Sequence, residues 1–125
     1  MNDPTLKVLF VEDSERDAAL LTRHLEKCGY VLDSLRVETD EQFTHALESS
    51  EWDLILSDYS LPTFNALSAL FLLKASELDI PFIIISGTIG EDVAVEAMRL
   101  GAGDYLMKDN LARMKREGTD TIIED

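Results

Sequence analysis

Short apolar runs alternate along this chain with longer segments in which apolar residues recur every three or four positions. Runs of the first kind are typical of buried strands, and segments of the second kind are typical of amphipathic helices. Their alternation predicts a βα repeat of about five units around a parallel sheet. The predicted strands cover residues 8–11, a run within 31–37, and residues 52–56, 82–85 and 105–107.

Capping residues set the limits of the predicted helices. Ser14 is a favourable N-cap for the first helix, and Gly29 ends it because glycine adopts a left-handed cap easily. Thr39 and Gln42 form a capping box at the start of the second helix, and the third helix is predicted over residues 65–75. The side chains expected to face the core are Ala18, Leu21 and Leu25 in the first helix, Phe43, Ala46 and Leu47 in the second, and Val93, Ala94, Ala97 and Leu100 in a fourth helix after Gly90.

Polar side chains follow four of the predicted strands. Glu12 and Asp13 follow the first strand, Asp58 the third, Ser86 the fourth and Lys108 the fifth. Open parallel sheets bind ligands outside the carboxyl ends of their strands, where the topology switches. We therefore expect three carboxylates, one hydroxyl and one ammonium to meet at one edge of the sheet.

The grouped acids predict a divalent metal site. Carboxylates are hard oxygen ligands, and Glu12, Asp13 and Asp58 would repel one another without a small cation such as Mg²⁺. Beside a bound cation and the Lys108 ammonium, a carboxylate can act as a nucleophile towards phosphorus, because phosphoryl transfer needs mainly positioning and charge neutralisation. Asp58 suits this role, since it lies just past a strand on a loop closed by Pro62. A lone aspartate there is more often a solvated turn residue, and only the agreement of all the strand ends favours chemistry.

Composition narrows the class of protein. The chain has 125 residues, 46% of them hydrophobic, which is enough for one domain with a single core. Its 11 basic and 25 acidic residues give a net charge of -14, which argues against direct binding to nucleic acid or to an anionic membrane surface. A single cysteine, Cys28, and the lack of an apolar leader predict a cytoplasmic setting. No apolar run approaches the roughly 20 residues that span a bilayer.

The chain resembles the receiver domain of two-component response regulators over about residues 6–111. The resemblance implies a doubly wound (βα)5, flavodoxin-like α/β fold, whose five-stranded parallel sheet has the order 2-1-3-4-5. The motifs that carry it, which also have the spacing found in the family, are Val11-Glu12-Asp13-Ser14, Ser57-Asp58-Tyr59-Ser60-Leu61-Pro62, Ile85-Ser86-Gly87 and Tyr105-Leu106-Met107-Lys108.

The resemblance implies a phosphoacceptor and a metal site. Asp58 would accept a phosphoryl group from a histidine kinase or a phosphotransfer protein. Mg²⁺ would be held by Glu12, Asp13, Asp58 and the backbone carbonyl of Ser60. Enzymatic activity would be limited to phosphorylation and dephosphorylation of the chain itself.

The resemblance also implies a switch. Ser86 would hydrogen-bond the phosphoryl group, Lys108 would pair with it, and the ring of Tyr105 would turn inward to fill the space that Ser86 leaves. The alternative for Tyr105 is a half-buried strand aromatic with no switching role. The output would be a changed protein-interaction surface, either of a stand-alone receiver or of one module in a larger regulator.

Three positions depart from the family pattern. Glu12 stands where aspartate is commoner, and we expect its longer side chain to reach the metal through water. Ala66 replaces a usual glycine, which predicts that the third helix starts without a positive φ. Asp109 replaces a common proline, so no cis peptide is expected there.

Two features predict contacts or boundaries of this particular chain. The third helix is apolar around its whole circumference, so Phe71 and Leu72 are expected to cover a partner protein or a second copy in a homodimer, unless a neighbouring loop covers them.

The fifth helix is predicted to be short, over residues 110–117 with Leu111 and Met114 facing inward. The receiver domain would then occupy residues 1–118, followed by a tail or linker over 119–125.

Two other classes remain as alternatives. One is a pseudo-receiver, which keeps the fold and binds partners without phosphate; Asp58, Ser86 and Lys108 argue against it. The other is a metal-dependent phosphatase with an aspartyl nucleophile, which commonly has a second acid two residues later, where this chain has Ser60. The two histidines, His24 and His45, are expected at the surface or its boundary and not as metal ligands.

Overall fold

The computed structural model describes residues 5–59, 66–86, 91–107, 114–117 and 120–123, with described side chains in 5–59, 66–86 and 95–103. Strands and helices alternate through the first 107 residues, as the apolar pattern predicts. The elements are β1 Thr5–Val11, α1 Glu15–Lys27, β2 Val31–Val37, α2 Asp40–Ser49, β3 Leu54–Asp58, α3 Ala66–Ala75, β4 Phe82–Ser86, α4 Glu91–Arg99, β5 Asp104–Met107, β6 Met114–Glu117 and β7 Asp120–Ile123.

Strands β1 to β5 form one parallel sheet in the order β2-β1-β3-β4-β5, which confirms the predicted topology. Its central strands are buried on both faces, since β4 is buried at every position and β3 at all but its last. This is why they read as continuous apolar runs in the sequence. One face of the sheet packs against α1 and the other against α2, α3 and Ala97 of α4, so the core has two layers.

The predicted helix caps are confirmed. The Ser14 hydroxyl accepts a hydrogen bond from the Asp17 N–H at 3.1 Å, and the Thr39 hydroxyl accepts one from the Gln42 N–H at 3.1 Å. The Gln42 side chain accepts the N–H of Glu38, one residue before the cap, at 2.8 Å. The buried residues include all the side chains predicted to face the core in the first two helices, namely Ala18, Leu21, Leu25, Phe43, Ala46 and Leu47.

Helix ends also follow local chemistry. Gly29 after α1 has φ 100°, as its capping role requires, while Ala66 begins α3 without the positive φ that glycine allows. The prediction for the buried face of α4 is confirmed at Ala97, which is buried, and wrong at Leu100, which is 45% exposed. Leu100 lies one residue past the end of the helix, where the 3.6-residue period no longer sets its direction. The side chains of residues 93 and 94 lie outside the described set.

Strand β3 begins two residues later than predicted, and the side chains of residues 52 and 53 make contacts just before it. The Trp52 indole N–H donates to the Ala46 carbonyl at 2.9 Å, and the Lys7 ammonium lies 5.4 Å from the ring centroid. The Asp53 carboxylate accepts the Lys7 N–H at 2.9 Å. These contacts anchor the α2–β3 connection at the amino edge of the sheet, opposite the predicted site.

The predicted short fifth helix is wrong over residues 114–117. These residues form β6, which pairs antiparallel with β7, Met114 opposite Ile123 and Glu117 opposite Asp120. The β-branched residues of β7 favour extended backbone. A helix of eight residues would have been marginal without extensive packing. Residues 110–113, with Leu111, lie outside the described part, and the division at residue 118 stays a prediction.

Helix length also bears on membrane insertion. The longest described helix, α1, has 13 residues, and no helix in the described ranges combines the length and apolar character needed to cross a bilayer.

Candidate functional site

The predicted acids come together at the carboxyl edge of the sheet. Glu12 and Asp13 directly follow β1, and Asp58 is the last residue of the neighbouring strand β3. One carboxylate oxygen from each of the three lies within 4.8 Å of the others. Glu12 is buried, Asp58 is half-buried and Asp13 is exposed, so the cluster opens to solvent on one side.

The backbone of β1 continues to pair past its end. The Glu12 N–H donates to the Val37 carbonyl at 3.0 Å, and the Arg36 guanidinium donates to the Glu12 carbonyl at 3.1 Å. Both bonds come from the end of β2, the neighbour of β1 at the sheet edge. The first acid of the pair is therefore positioned by the sheet and not by a loop alone.

Asp58 is held by its pairing with β4 and by bonds of the residues next to it in the chain. Its Cα pairs with Ile85 of β4, and the next residue, Tyr59, donates its N–H to the Ile85 carbonyl at 3.3 Å. The hydroxyl of Ser57, a fully buried residue, donates to the Asp58 carbonyl at 3.0 Å. The Ala66 N–H donates to the Tyr59 carbonyl at 3.0 Å, which ties the start of α3 to the end of this strand. The Asp58 backbone is thus fixed while its side chain stays partly accessible.

The other predicted residues lie on the next strands. Ser86 is buried, 5% exposed, as the last residue of β4. It pairs with Met107 of β5, and Tyr105 on the same strand pairs with Ile84. The side chain of Tyr105 lies outside the described set. Lys108, which follows Met107 directly, and Ser60 both lie outside the described residues.

Two residues at this edge were missed by the sequence analysis. Arg36 bonds the acid-pair loop, and Ser57 bonds the acceptor backbone. Strand order 2-1-3 was the signal for Arg36, because it places the end of β2 beside the residue that follows β1. The histidines behave as predicted: His45 is exposed, and His24 is half-buried at 3.8 Å from the Cys28 sulfur, with neither in the acid cluster.

Phe71 and Leu72, the two residues of α3 predicted to cover a partner, differ in exposure. Phe71 is 73% exposed, so the described structure gives no support to a covering loop. Leu72 is half-buried, packs against the core, and lines a surface hollow with the acidic side of α2. The two residues therefore differ, and only Phe71 is an isolated apolar surface residue.

Comparison with known proteins agrees with this arrangement. The family model of the response regulator receiver domain matches residues 8–117. The transcriptional regulatory protein CusR of Escherichia coli is 29% identical, in an alignment that covers 95% of this chain and 55% of CusR. This chain thus spans about half the length of that curated relative.

Solved structures show the same fold. The signal receiver domain of a LuxO repressor protein from Vibrio parahaemolyticus superposes with a TM-score of 0.74 at 28% identity, covering 86% of this chain and 85% of that one. The receiver domain of the sensor histidine kinase PA1611 from Pseudomonas aeruginosa, with a magnesium ion coordinated in its active site cleft, gives a TM-score of 0.70 at 24% identity, covering 87% and 93%. With its matched residues, its sheet order and its acid cluster, this chain belongs to the response regulator receiver domain family.

Proposed function

We propose that the chain is a phosphorylation-controlled switch in which Asp58 accepts a phosphoryl group from a histidine kinase or a phosphotransfer protein. The observation that carries the proposal is the cluster of Glu12, Asp13 and Asp58, whose carboxylate oxygens lie within 4.8 Å at the carboxyl edge of the sheet. Membership of the receiver family supports it. Such domains are not enzymes beyond their own phosphorylation and dephosphorylation.

The donor set fits Mg²⁺. Ligands on opposite sides of this ion lie about 4.2 Å apart, and the ion usually keeps several waters, so carboxylate oxygens within 4.8 Å of one another need only a small approach to bind it. We assign Glu12, Asp13, Asp58 and the Ser60 carbonyl as its ligands; for Ser60 the support is the family resemblance. Bound Mg²⁺ supplies positive charge that offsets the acids and the phosphoryl oxygens. The magnesium in the PA1611 receiver supports this assignment.

In the transfer step, one carboxylate oxygen of Asp58 attacks phosphorus. The new O–P bond forms as the P–N bond to the donor histidine breaks, and its electron pair stays on the imidazole nitrogen, which takes up a proton. The half-buried side chain of Asp58 leaves an oxygen accessible, while the bonds from Ser57 and Tyr59 hold the backbone. The chain contributes position and charge, which phosphoryl transfer chiefly requires.

Ser86, Lys108 and Tyr105 form the proposed switch. The Ser86 hydroxyl binds the phosphoryl group, the Lys108 ammonium pairs with it, and the Tyr105 ring turns towards the space that Ser86 vacates. The pairing of Ser86 with Met107, the residue before Lys108, supports a common action of β4 and β5. A new double charge at Asp58 is enough to bias such an element between two positions.

We also propose that Phe71, with Leu72 beside it, belongs to a contact surface for a downstream protein or for a second copy of the chain. The exposure of Phe71 supports this, because it lies on a helix that is apolar around its whole circumference, and such a helix is usually covered.

Chemical trapping tests the phosphoacceptor. Borohydride reduces an aspartyl phosphate to homoserine, so phosphorylated chain treated in this way should yield homoserine at position 58 in peptide mass spectra. A conversion at another acid would contradict the assignment. Absence of any phosphate with every donor would favour the pseudo-receiver alternative.

A further inference from the structure

Arg36, next to the end of β2, binds three groups around the acid pair. Its Nη1 donates to the Glu12 carbonyl at 3.1 Å and lies 3.4 Å from the Glu38 carboxylate. Its Nη2 donates to the Glu15 carboxylate at 3.4 Å, in the first turn of α1. The side chain is only 28% exposed, so the guanidinium is partly shielded from water.

The bond to Glu12 completes a two-point attachment. The Val37 carbonyl accepts the Glu12 N–H at 3.0 Å, and Arg36 donates to the carbonyl of the same residue. Both backbone hydrogen-bonding groups of Glu12 are therefore held by consecutive residues of β2. The bond from Arg36 engages the peptide unit that joins Glu12 to Asp13, so it fixes the direction in which the second acid leaves the sheet.

We propose that Arg36 is a positioning residue for the cation site: it holds the Glu12–Asp13 peptide so that both carboxylates stay within reach of one ion together with Asp58. This inference rests on the proposed function in one respect, that the ion is Mg²⁺. Partners that orient metal ligands in this way typically change metal affinity by about 10- to 100-fold when they are removed.

Charge and position predict opposite effects for the loss of Arg36. A cation beside the site repels Mg²⁺, so simple electrostatics predicts tighter binding when the guanidinium is removed. Positioning predicts weaker binding, because the loop then samples orientations in which the carboxylates diverge. Glu15 and Glu38 already offset the guanidinium charge, and we therefore expect the positioning effect to dominate.

Calorimetric titration of the whole chain with Mg²⁺ measures the sign directly. We expect Arg36→Met, which keeps the apolar stem but has no donors, to bind Mg²⁺ about tenfold more weakly than the native chain. Arg36→Lys keeps the charge without the forked geometry and should be intermediate. Arg23→Met is the matched control, since Arg23 lines the same surface hollow as Arg36 and makes no hydrogen bond to the acid pair among the described residues. It should leave the affinity unchanged or slightly higher.

A second readout separates positioning from damage to the fold. Phosphorylation by a small phosphodonor, followed over a range of Mg²⁺ concentrations, should show a raised half-saturating concentration for Arg36→Met with a maximal rate close to native. If Arg36→Met does not fold, Arg36→Lys decides, because native Mg²⁺ affinity in that variant would overturn the role of the forked geometry.

The outcomes distinguish failure of the role of Arg36 from failure of the proposed function. Native or tighter Mg²⁺ binding by folded Arg36→Met overturns the role of Arg36 alone. No Mg²⁺ binding by the native chain overturns both that role and the proposed function.

Discussion

The side chain of Lys74, in the last turn of α3, lies directly over Gly101, which follows α4. A Cβ atom at position 101 would lie 2.7 Å from the Lys74 Cε, and Gly101 has φ 104°. The backbone conformation requires glycine here, while the close approach involves only the flexible end of the lysine side chain. The contact joins α3 to the end of α4 on the same face of the sheet.

Gly101→Ala should destabilise the fold. A non-glycine residue at such a φ costs about 1–3 kcal/mol, whereas the flexible end of Lys74 can move aside at little cost. Urea unfolding of Gly101→Ala, Lys74→Ala and the double variant separates the cost of the backbone conformation from the cost of the contact with Lys74. The double variant should stay nearly as unstable as Gly101→Ala; full recovery of stability would show that the contact, and not the backbone, is limiting.

Asp58→Asn should have effects of opposite sign with and without Mg²⁺. In the metal-free chain it removes one of three carboxylates that lie within 4.8 Å, so the free energy of unfolding should rise by about 1 kcal/mol. In excess Mg²⁺ the native chain gains binding free energy that the variant largely loses. Unfolding in chelator and in Mg²⁺ checks both signs, with Asp79→Asn as an exposed acid outside the cluster. Equal shifts for both variants would contradict a shared metal site.

Ser86→Ala should uncouple phosphorylation from the switch. Ser86 is proposed to bind the phosphoryl group after transfer and not to take part in the transfer itself. Its loss should therefore leave phosphate incorporation at Asp58 largely intact but reduce the accompanying change in β5. Amide hydrogen exchange of β5, with and without phosphorylation, measures that change. Ser76→Ala, in the turn after α3, is the control hydroxyl deletion. A native-sized change in Ser86→Ala would remove Ser86 from the switch.

Phe71→Ser should leave stability within about 0.5 kcal/mol, as for other surface substitutions, because the side chain is 73% exposed. Leu70→Ala, at a neighbouring position that is 1% exposed, should cost about 2–5 kcal/mol. If Phe71 contacts a second copy, the variant should also shift the oligomeric state measured by sedimentation. An unchanged oligomeric state together with unchanged partner affinity would exclude the proposed surface.

The sequence predicted those parts of the fold that depend on local signals. Helix α1 and strand β2 have their predicted limits because Ser14 and Gly29 cap the helix, and capping depends only on residues nearby in the sequence. Strand β3 begins later than its apolar run predicts, and periodicity does not reveal the side-chain bonds that Trp52 and Asp53 make to Ala46 and Lys7.

The acid cluster was predictable for a related reason. Parallel strands bring their carboxyl ends to one edge, so position after a strand was enough to group Glu12, Asp13 and Asp58. Arg36 could be found only from the strand order, since its role depends on β2 lying beside β1 and on a bond to a backbone carbonyl. The C-terminal hairpin was missed because its short segments carry weak periodicity, and strand pairing decided between helix and strand.

Intact mass spectrometry measures directly whether Asp58 is the Mg²⁺-dependent phosphoacceptor. The native chain, Asp58→Asn and the control Asp79→Asn would each be incubated with a small phosphodonor, with Mg²⁺ and with chelator. We expect a single added phosphate on the native chain and on Asp79→Asn in Mg²⁺, and none on Asp58→Asn or in chelator. Mg²⁺-independent phosphate, or phosphate on Asp58→Asn equal to native, would contradict this role of Asp58.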